Sequence, residues 1–140
     1  SELGLNNLTN YSSPTQIPGS TWHRPSANGT ANVVSKTDGT LWSMGYNMPG
    51  FVGSNDRIYR SSPTQMPGTT WDKDKVRMSG GSISALKTDG TLWFWGRNFK
   101  GEAGTSQAYA QIKAYSSPVQ VPGTWTDVGG KGGYATIALK

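Results

Sequence analysis

The length of 140 residues sets an upper limit of one domain, and the absence of cysteine excludes a disulfide scaffold and a thiolate metal site. Nineteen Gly and eight Pro would be typical of disorder, but six Trp, six Tyr and three Phe argue against it, because disordered chains are poor in aromatics. The net charge of +5 comes from scattered cations, so nucleic acid is not favoured as a partner, and no apolar run is long enough for a membrane span. The composition predicts a turn-rich all-β protein.

An eight-residue motif occurs three times and shows that the chain is a repeat protein. The copies are SSPTQIPG at residues 12–19, SSPTQMPG at 61–68 and SSPVQVPG at 116–123. A second motif, KTDGTLW, starts at Lys36 and again at Lys87. Because both motifs recur about every 50 residues, we divide the chain into units of approximately 1–50, 51–101 and 102–140, the last incomplete.

Each unit is predicted to form four short strands. The first begins near the Trp that follows Pro-Gly and ends in glycines, and the second leads to the Thr-Asp-Gly-Thr turn. We expect Asp-Gly to form a two-residue hairpin of type I′, which favours these residues. The return strand is Leu-Trp-x-x-Gly, and the fourth strand follows the Pro of the eight-residue motif. Since Pro has no N–H to donate, the fourth strand is predicted at a sheet edge.

The return strand of the second unit predicts how the sheets pack. Leu92 and Phe94 point to one face of the sheet, whereas Trp93 and Trp95 point to the other. Both faces are therefore apolar, and each needs a neighbour. Four-stranded antiparallel sheets stacked face to face around an axis meet this demand, so the predicted fold is an all-β β-propeller with about two and three-quarter repeats in the chain.

Three segments carry a family resemblance. DGTLWFWGRN, SSPVQVPG and GGYATIALK resemble the repeats of the regulator of chromosome condensation family, most closely its prokaryotic and phage versions. The resemblance implies a propeller, commonly of seven blades, and a viral or bacterial source with a virion-associated or extracellular location. It does not imply one activity, because family members differ in function. No segment matches the wedge-like loop of the nucleotide-exchange members, so that activity is not expected here.

The repeat frame predicts two complete sheets, at about 22–66 and 71–121, with an unpaired edge strand before them and an unpaired inner pair after them. Two or three blades cannot close a ring. We therefore expect self-association, with a homodimer of six blades as the favoured form; a piece of a longer array is the alternative. The residues assigned to blade packing and assembly are Trp42, Trp93, Trp95, Ile17, Ile137 and Leu139.

Catalytic chemistry is not indicated by the sequence. The single histidine, His23, is predicted to be a solvated loop residue, and the acidic residues lack the spacing of metal ligands. The acidic residues assigned to loops or their vicinity are Asp56, Asp72, Asp74 and Asp127. The glycine-rich GGKGG at 129–133 lacks the ending of a phosphate-binding loop. We expect no enzyme activity, no cofactor and no metal.

The connection from return strand to edge strand differs most between units, and loops on a rigid scaffold commonly carry binding function. Its candidate binding residues are Arg57, Tyr59, Arg60, Tyr109, Lys113 and Tyr115. A protein-interaction or structural module is the leading prediction. A glycan-binding propeller and a nucleic-acid binder are the alternatives, although the periodicity of the Trp residues favours packing over sugar stacking.

Overall fold

The computed structural model describes residues 3–48, 50–105, 114–129 and 137–140 as three antiparallel sheets. The first sheet contains β1 Trp22–Ala27, β2 Ala31–Lys36, β3 Leu41–Gly45 and β4 Arg60–Gln65. The second contains β5 Trp71–Ser79, β6 Ser82–Lys87, β7 Leu92–Arg97 and β8 Ala114–Val121. The third is a pair, β9 Asp127–Gly129 and β10 Ile137–Leu139. Within these ranges no helix is long and apolar enough to cross a membrane.

The sheets stack in chain order as blades do. In each complete sheet the strands are neighbours in sequence order, and β1 and β2 contact β5, while β5 and β6 contact β9. The first strands of successive sheets therefore lie together, and the fourth strands lie at the opposite edge. This confirms the predicted class of all-β propeller with four-stranded antiparallel blades, here as a partial propeller.

Apolar side chains fill both gaps between the sheets. The core between the first and second sheets includes Val33 and Trp95, and the core between the second and third includes Leu92 and Phe94. Trp95 and Phe94 are 0% and 1% exposed although they point to opposite faces of the same strand. The predicted alternation along β7 is thus confirmed, and both faces of the second blade are covered.

The edge position of the Pro-containing strands is also confirmed. β4 and β8, which contain Pro63 and Pro118, pair on one side only, with β3 and β7 respectively. The first copy of the motif differs, because residues 12–17 form no strand. An edge strand needs a return strand beside it, and none precedes these residues within the described part of the chain.

The predicted type I′ hairpin is wrong. Lys36 N donates to Thr40 O at 2.9 Å and Gly39 N to Lys36 O at 3.2 Å, which gives a three-residue loop, and only the glycine has a positive φ, of 78°. Asp38 instead accepts hydrogen bonds from the Thr40 N–H and hydroxyl. A turn followed by a left-handed Gly is the standard three-residue hairpin, and the Asp side chain stabilises it without adopting a positive φ itself.

The glycine that ends the return strand permits close approach to the inner hairpin. Gly96 has a φ of 90°, and a Cβ there would lie 2.6 Å from Gly81 O. Gly101 has a similar φ of 80° but open space around the same position. Substitution at the two glycines therefore allows the cost of the left-handed backbone to be separated from the cost of a steric clash.

We expect Gly96→Ala to lower the free energy of unfolding by more than about 3 kcal/mol, because strain and a backbone clash add. Gly101→Ala is the matched control. Its free energy of unfolding should fall by only about 1–2 kcal/mol, which is what the left-handed conformation costs a residue with a Cβ. Urea unfolding of both variants measures the difference. Equal losses would show that the close approach at Gly96 contributes nothing.

Candidate interaction surfaces

The Trp residues of each unit form a repeated cluster with one Lys. Lys36 Nζ lies 4.5 Å from the ring centroid of Trp22 and 4.2 Å from that of Trp42. In the second unit Lys87 Nζ lies 5.1 Å and 4.3 Å from Trp71 and Trp93. Because the ammonium groups occupy the ring faces through cation–π contact, these Trp residues have a structural role within the blade. Trp42 and Trp93 are half-buried, and Trp95 is fully buried.

The third unit has one residue fewer than the other two between its Pro-Gly and its Trp. Trp22 and Trp71 donate their indole N–H to the carbonyl of the Pro four residues earlier, at 3.0 and 3.1 Å. In the third unit the segment is PGTW, one residue shorter, and the buried Trp125 Nε1 has no hydrogen-bond partner among the described residues. The shorter segment leaves a donor unsatisfied, which costs about 1–3 kcal/mol.

A cavity of about 200 Å³ lies next to Trp125, between the second and third sheets. Its walls come from both sheets and from the 102–104 segment that joins β7 to β8. They are Ser84, Leu92, Phe94, Glu102, Ala103, Gly104, Val121, Trp125 and Ala138. At the corresponding place between the first two sheets, the Trp95 side chain fills the space and donates to Phe51 O at 3.0 Å.

The loop from β3 to β4 is organised by a buried asparagine that the sequence reading did not single out. Asn47 is 0% exposed; its side chain accepts from Val52 N at 2.7 Å and donates to the carbonyls of Asp56 and Ile58. Asn98 accepts from Ala103 N at 2.9 Å in the same way. The signal was present, because an Asn stands two residues after the return-strand Gly in both units.

This loop exposes an aromatic and apolar patch, which we call the rim patch: Tyr46, Met48, Ile58 and Tyr59. The rings of Tyr46 and Tyr59 lie 5.0 Å apart, and Ile58 and Tyr59 are 62% and 52% exposed. Desolvation raises the pKa of Tyr59, and the charge interaction and hydrogen bond with Tyr46 raise it further. Clustered exposed aromatics are typical of interaction surfaces.

The predicted loop residues differ in what surrounds them. Arg57 is exposed beside the rim patch without an ion-pair partner among the described residues, whereas Arg60 pairs with Asp56 at 2.6 Å. Tyr115 is half-buried, stacked edge-on against Phe94, with its hydroxyl 3.0 Å from Thr105 Oγ1. Tyr109 and Lys113 lie outside the described residues.

Ion pairs connect the first strands of neighbouring sheets. His23 Nε2 lies 2.7 Å from Asp74 Oδ1, and Lys75 Nζ lies 3.0 Å from Asp127 Oδ1. His23 is exposed, as expected, but it lies in β1 rather than in a loop. Asp72 and Asp127 lie at the beginnings of β5 and β9, next to loops, and Asp74 lies within β5. Hydrogen bonds from Lys73 and then from His23 lower the pKa of Asp74 to about 2.

Apolar side chains line the outermost faces of the described stack. A groove of about 560 Å³ lies on the face of the first sheet that points away from the second, and its apolar walls include Ile17, Trp22 and the buried Val34 and Met44. At the other end Ile137 and Leu139 are 65% and 59% exposed. Both faces carry the kind of side chain that is buried between the blades. Among the described residues, no group of three or more His, Asp or Glu could hold a metal.

Inserting one Thr between Gly123 and Thr124 restores the spacing of the other two units. We expect the free energy of unfolding to rise by about 1 kcal/mol, because the Trp125 N–H regains the Pro122 carbonyl as acceptor. The same insertion between Gly68 and Thr69, where the spacing is already correct, should destabilise. Chemical denaturation of both variants tests this, and stabilisation in the second unit as well would contradict the explanation.

Asp74→Asn should lower stability in a pH-dependent way. A carboxylate whose pKa is depressed on folding stabilises above its ordinary pKa of 3.8, and this contribution disappears as the pH falls to about 2. The stability difference between the wild type and the variant should thus be full at pH 5, mostly lost at pH 2 and absent below it. Because Asp74 is 44% exposed, high salt should also reduce the stability difference between the wild type and the variant. A difference unchanged at pH 2 would exclude an ionic contribution.

The chain matches no protein-family model and no curated protein, but it is similar to several solved structures. Human WBSCR16 aligns with a TM-score of 0.76 and 22% identity over 99% of this chain and 37% of that one. Prp20p from Saccharomyces cerevisiae, studied for binding to Gsp1p and histones, aligns with a TM-score of 0.62 and 16% identity over 78% of this chain and 27% of that one. Yeast RCC1 (Prp20) bound by Kap60 aligns with a TM-score of 0.66 and 15% identity over 79% of this chain and 26% of that one.

The chain thus spans between 26% and 37% of the length of these structures. At these identities the similarity concerns the fold, and it agrees with the repeat motifs and with the blade packing described above. The chain has the fold of a regulator of chromosome condensation-type (RCC1-type) repeat β-propeller, of which it forms a segment.

Proposed function

We propose that the protein is a non-enzymatic β-propeller module that acts through protein interaction and completes its ring by self-association, with a dimer of six blades as the favoured form. The observation that carries this proposal is the apolar groove on the outer face of the first sheet together with the exposed Ile137 and Leu139 of the third. Such surfaces are association sites in soluble proteins. The binding of the yeast protein to Gsp1p, histones and Kap60 agrees with an interaction role for this fold.

The contact between the first two sheets provides the template for the contact between copies. Lys36 and Lys140 occupy the same place in the repeat, which aligns Ile137 with Val33. Val33 is 0% exposed because the second sheet covers it, whereas Ile137 is 65% exposed. The third sheet of one copy therefore presents to solvent a face that the first sheet buries against its successor.

The groove on the first sheet is the corresponding receptor. Val34 and Met44 line it at the positions that Ala85 and Trp95 hold in the second sheet, where both are fully buried against the first sheet. Ile17 holds the position of Met66.

The rim patch and Arg57 are the proposed contact surface for other proteins, together with the loop residues Tyr59, Arg60, Tyr109, Lys113 and Tyr115. Tyr and Arg are the side chains most often found at the centre of interfaces. The rim patch lies on the connection between β3 and β4 rather than on an outer blade face, so ring closure does not require it. The two surfaces can thus be tested separately.

Light scattering across a concentration series tests self-association. We expect a mass of about 30 kDa, twice the 15.0 kDa of one chain. Ile137→Asp should reduce this to the monomer mass without loss of fold, since a change at an exposed side chain alters stability by only about 0.5 kcal/mol. The matched control, Tyr59→Ala in the rim patch, should keep the dimer mass.

Two results would contradict ring closure. One is a wild-type mass of 15 kDa at every concentration. The other is growth into open filaments, which head-to-tail contacts form when the rotation does not close. Circular dichroism of Ile137→Asp confirms that any loss of mass reflects the contact rather than unfolding.

A further inference from the structure

We propose that the Asn28–Gly29 pair, in the hairpin between β1 and β2, is a self-modifying site where the Asn28 carboxamide is converted without an enzyme to aspartate and isoaspartate. It is the one place in the 140 residues where Gly follows Asn. Asparagine is a thermolabile side chain, because the next backbone nitrogen can attack its carboxamide. The inference concerns a covalent change of the chain itself, so it does not depend on the proposed function.

The carbonyl of the Asn28 side chain is held by three hydrogen-bond donors. Asn28 Oδ1 accepts from the Thr30 N–H at 3.2 Å, from the Thr30 hydroxyl at 3.3 Å and from the Ala31 N–H at 3.1 Å. Attack on Cγ places negative charge on this oxygen. Donors already aimed at an oxygen where charge develops lower the barrier of such a step, so the turn contains its own oxyanion site.

Gly29 provides an accessible nucleophile. The residue is exposed, and nothing lies within 4 Å of the place that a Cβ would take, so its nitrogen is not shielded by a side chain. The Gly29 N–H donates to no backbone carbonyl among the described residues, so no such bond has to break before it reacts. Because Asn28 Oδ1 bonds the N–H groups of the two residues after Gly29, the carboxamide folds over the Asn28–Gly29 peptide bond. Nucleophile and electrophile are therefore held together.

The Asp-Gly turn of the same sheet shows what is particular to Asn28. Asp38 accepts from the Thr40 N–H and hydroxyl in the same way as Asn28 accepts from its own turn. There, however, the Gly39 N–H is already engaged, since it donates to Lys36 O at 3.2 Å. The hydrogen bonds from Thr40 also lower the pKa of Asp38, so its side chain is a carboxylate, a far poorer electrophile than a carboxamide. The second unit repeats both features, and the reactive combination occurs at Asn28.

The reaction needs water alone as a co-reactant. Gly29 N attacks Asn28 Cγ and forms a C–N bond, while the side-chain nitrogen departs as ammonia and takes the Gly29 amide proton with it. The product is a five-membered succinimide. Water then opens the ring: attack at Cγ gives aspartate with the normal main chain, and attack at the main-chain carbonyl gives isoaspartate, in which the chain continues through the side chain. One water is consumed, one ammonia is released, and nothing is oxidised or reduced.

The turn that reacts also contacts the rim patch. Thr30 O accepts from the Tyr46 N–H at 2.9 Å, and a Cβ at Gly45 would lie 2.7 Å from the same oxygen. Isoaspartate adds a methylene to the main chain and removes the side-chain acceptor of Asn28, whereas aspartate keeps that acceptor. We therefore expect the isoaspartyl product to loosen the hairpin and the backbone of Tyr46, and the aspartyl product to leave both in place.

Tandem mass spectrometry of the intact chain, incubated at neutral and at mildly alkaline pH, tests the modification. We expect Asn28 to be converted faster than every other asparagine, with both products present. The rate should rise in proportion to the hydroxide concentration, because the attacking nitrogen must lose its proton. Hydroxylamine, which opens a succinimide, should cleave the chain between residues 28 and 29. Conversion of Asn28 no faster than that of Asn7, which is exposed but precedes Leu8, would overturn the proposal.

Two comparisons separate the role of the folded turn from the ordinary lability of Asn-Gly. Thr30→Val removes one of the three donors and should slow the conversion of Asn28 by about three- to tenfold, as the loss of one hydrogen bond to the developing oxyanion predicts. The matched control, Thr91→Val in the second unit, should leave the rate at Asn28 unchanged. A synthetic peptide of residues 25–36, PSANGTANVVSK, has the same sequence without the folded turn and should react more slowly than the chain. An equal or faster rate in the peptide would show that the fold does not promote the reaction, whether or not the variants fold.

Hydrogen exchange tests the effect on the rim patch. Anion exchange separates the modified chain, which carries an additional negative charge, from the unmodified one. The isoaspartyl form should exchange faster at Thr30 and Tyr46 than the unmodified chain. The Asn28→Asp variant should match the unmodified chain, because it keeps the acceptor. Equal exchange in the isoaspartyl form would contradict the expected coupling between the modified turn and the rim patch.

Discussion

Every blade of this protein is apolar on both faces, and the rest of the structure depends on that constraint. A sheet of this kind is stable only between two neighbours, since a large apolar face left in water costs free energy in proportion to its area. The second sheet meets the condition, with Trp95 buried on one side and Phe94 on the other. The first and third sheets provide the neighbouring faces of the two cores on either side of it.

The repeats are informative chiefly where they differ. The cluster of Trp, Lys and the Asp-Gly hairpin is almost the same in the first two units, which identifies it as a structural part of the blade. The third unit has a shorter approach to Trp125, whose buried indole N–H has no hydrogen-bond partner among the described residues. A buried donor without a partner is uncommon in folded proteins, because it loses a hydrogen bond that water would otherwise supply.

Much of the fold could be predicted from the residues, because the motifs fix strands by local rules. The edge position of Pro63 and Pro118 followed from their missing N–H, and the two-faced burial of β7 followed from simple alternation. The hairpin type could not be predicted in this way, since Asp38 stabilises the turn through its side chain instead of a positive φ. The site was predicted less well: the role of His23 depends on Asp74, 51 residues away, which no local pattern reveals, whereas Asn47 is marked only by its repeated place after the return-strand Gly.

The sequence by itself determined the repeat, the strand order within a unit and the need for cover on both faces, because these depend on periodicity and on single-residue backbone chemistry. Only the tertiary structure decided which side chains meet across the blades. It placed His23 against Asp74 and Lys75 against Asp127. Such contacts depend on how two sheets approach each other in space, and residues one repeat apart in the chain come together only when the blades stack.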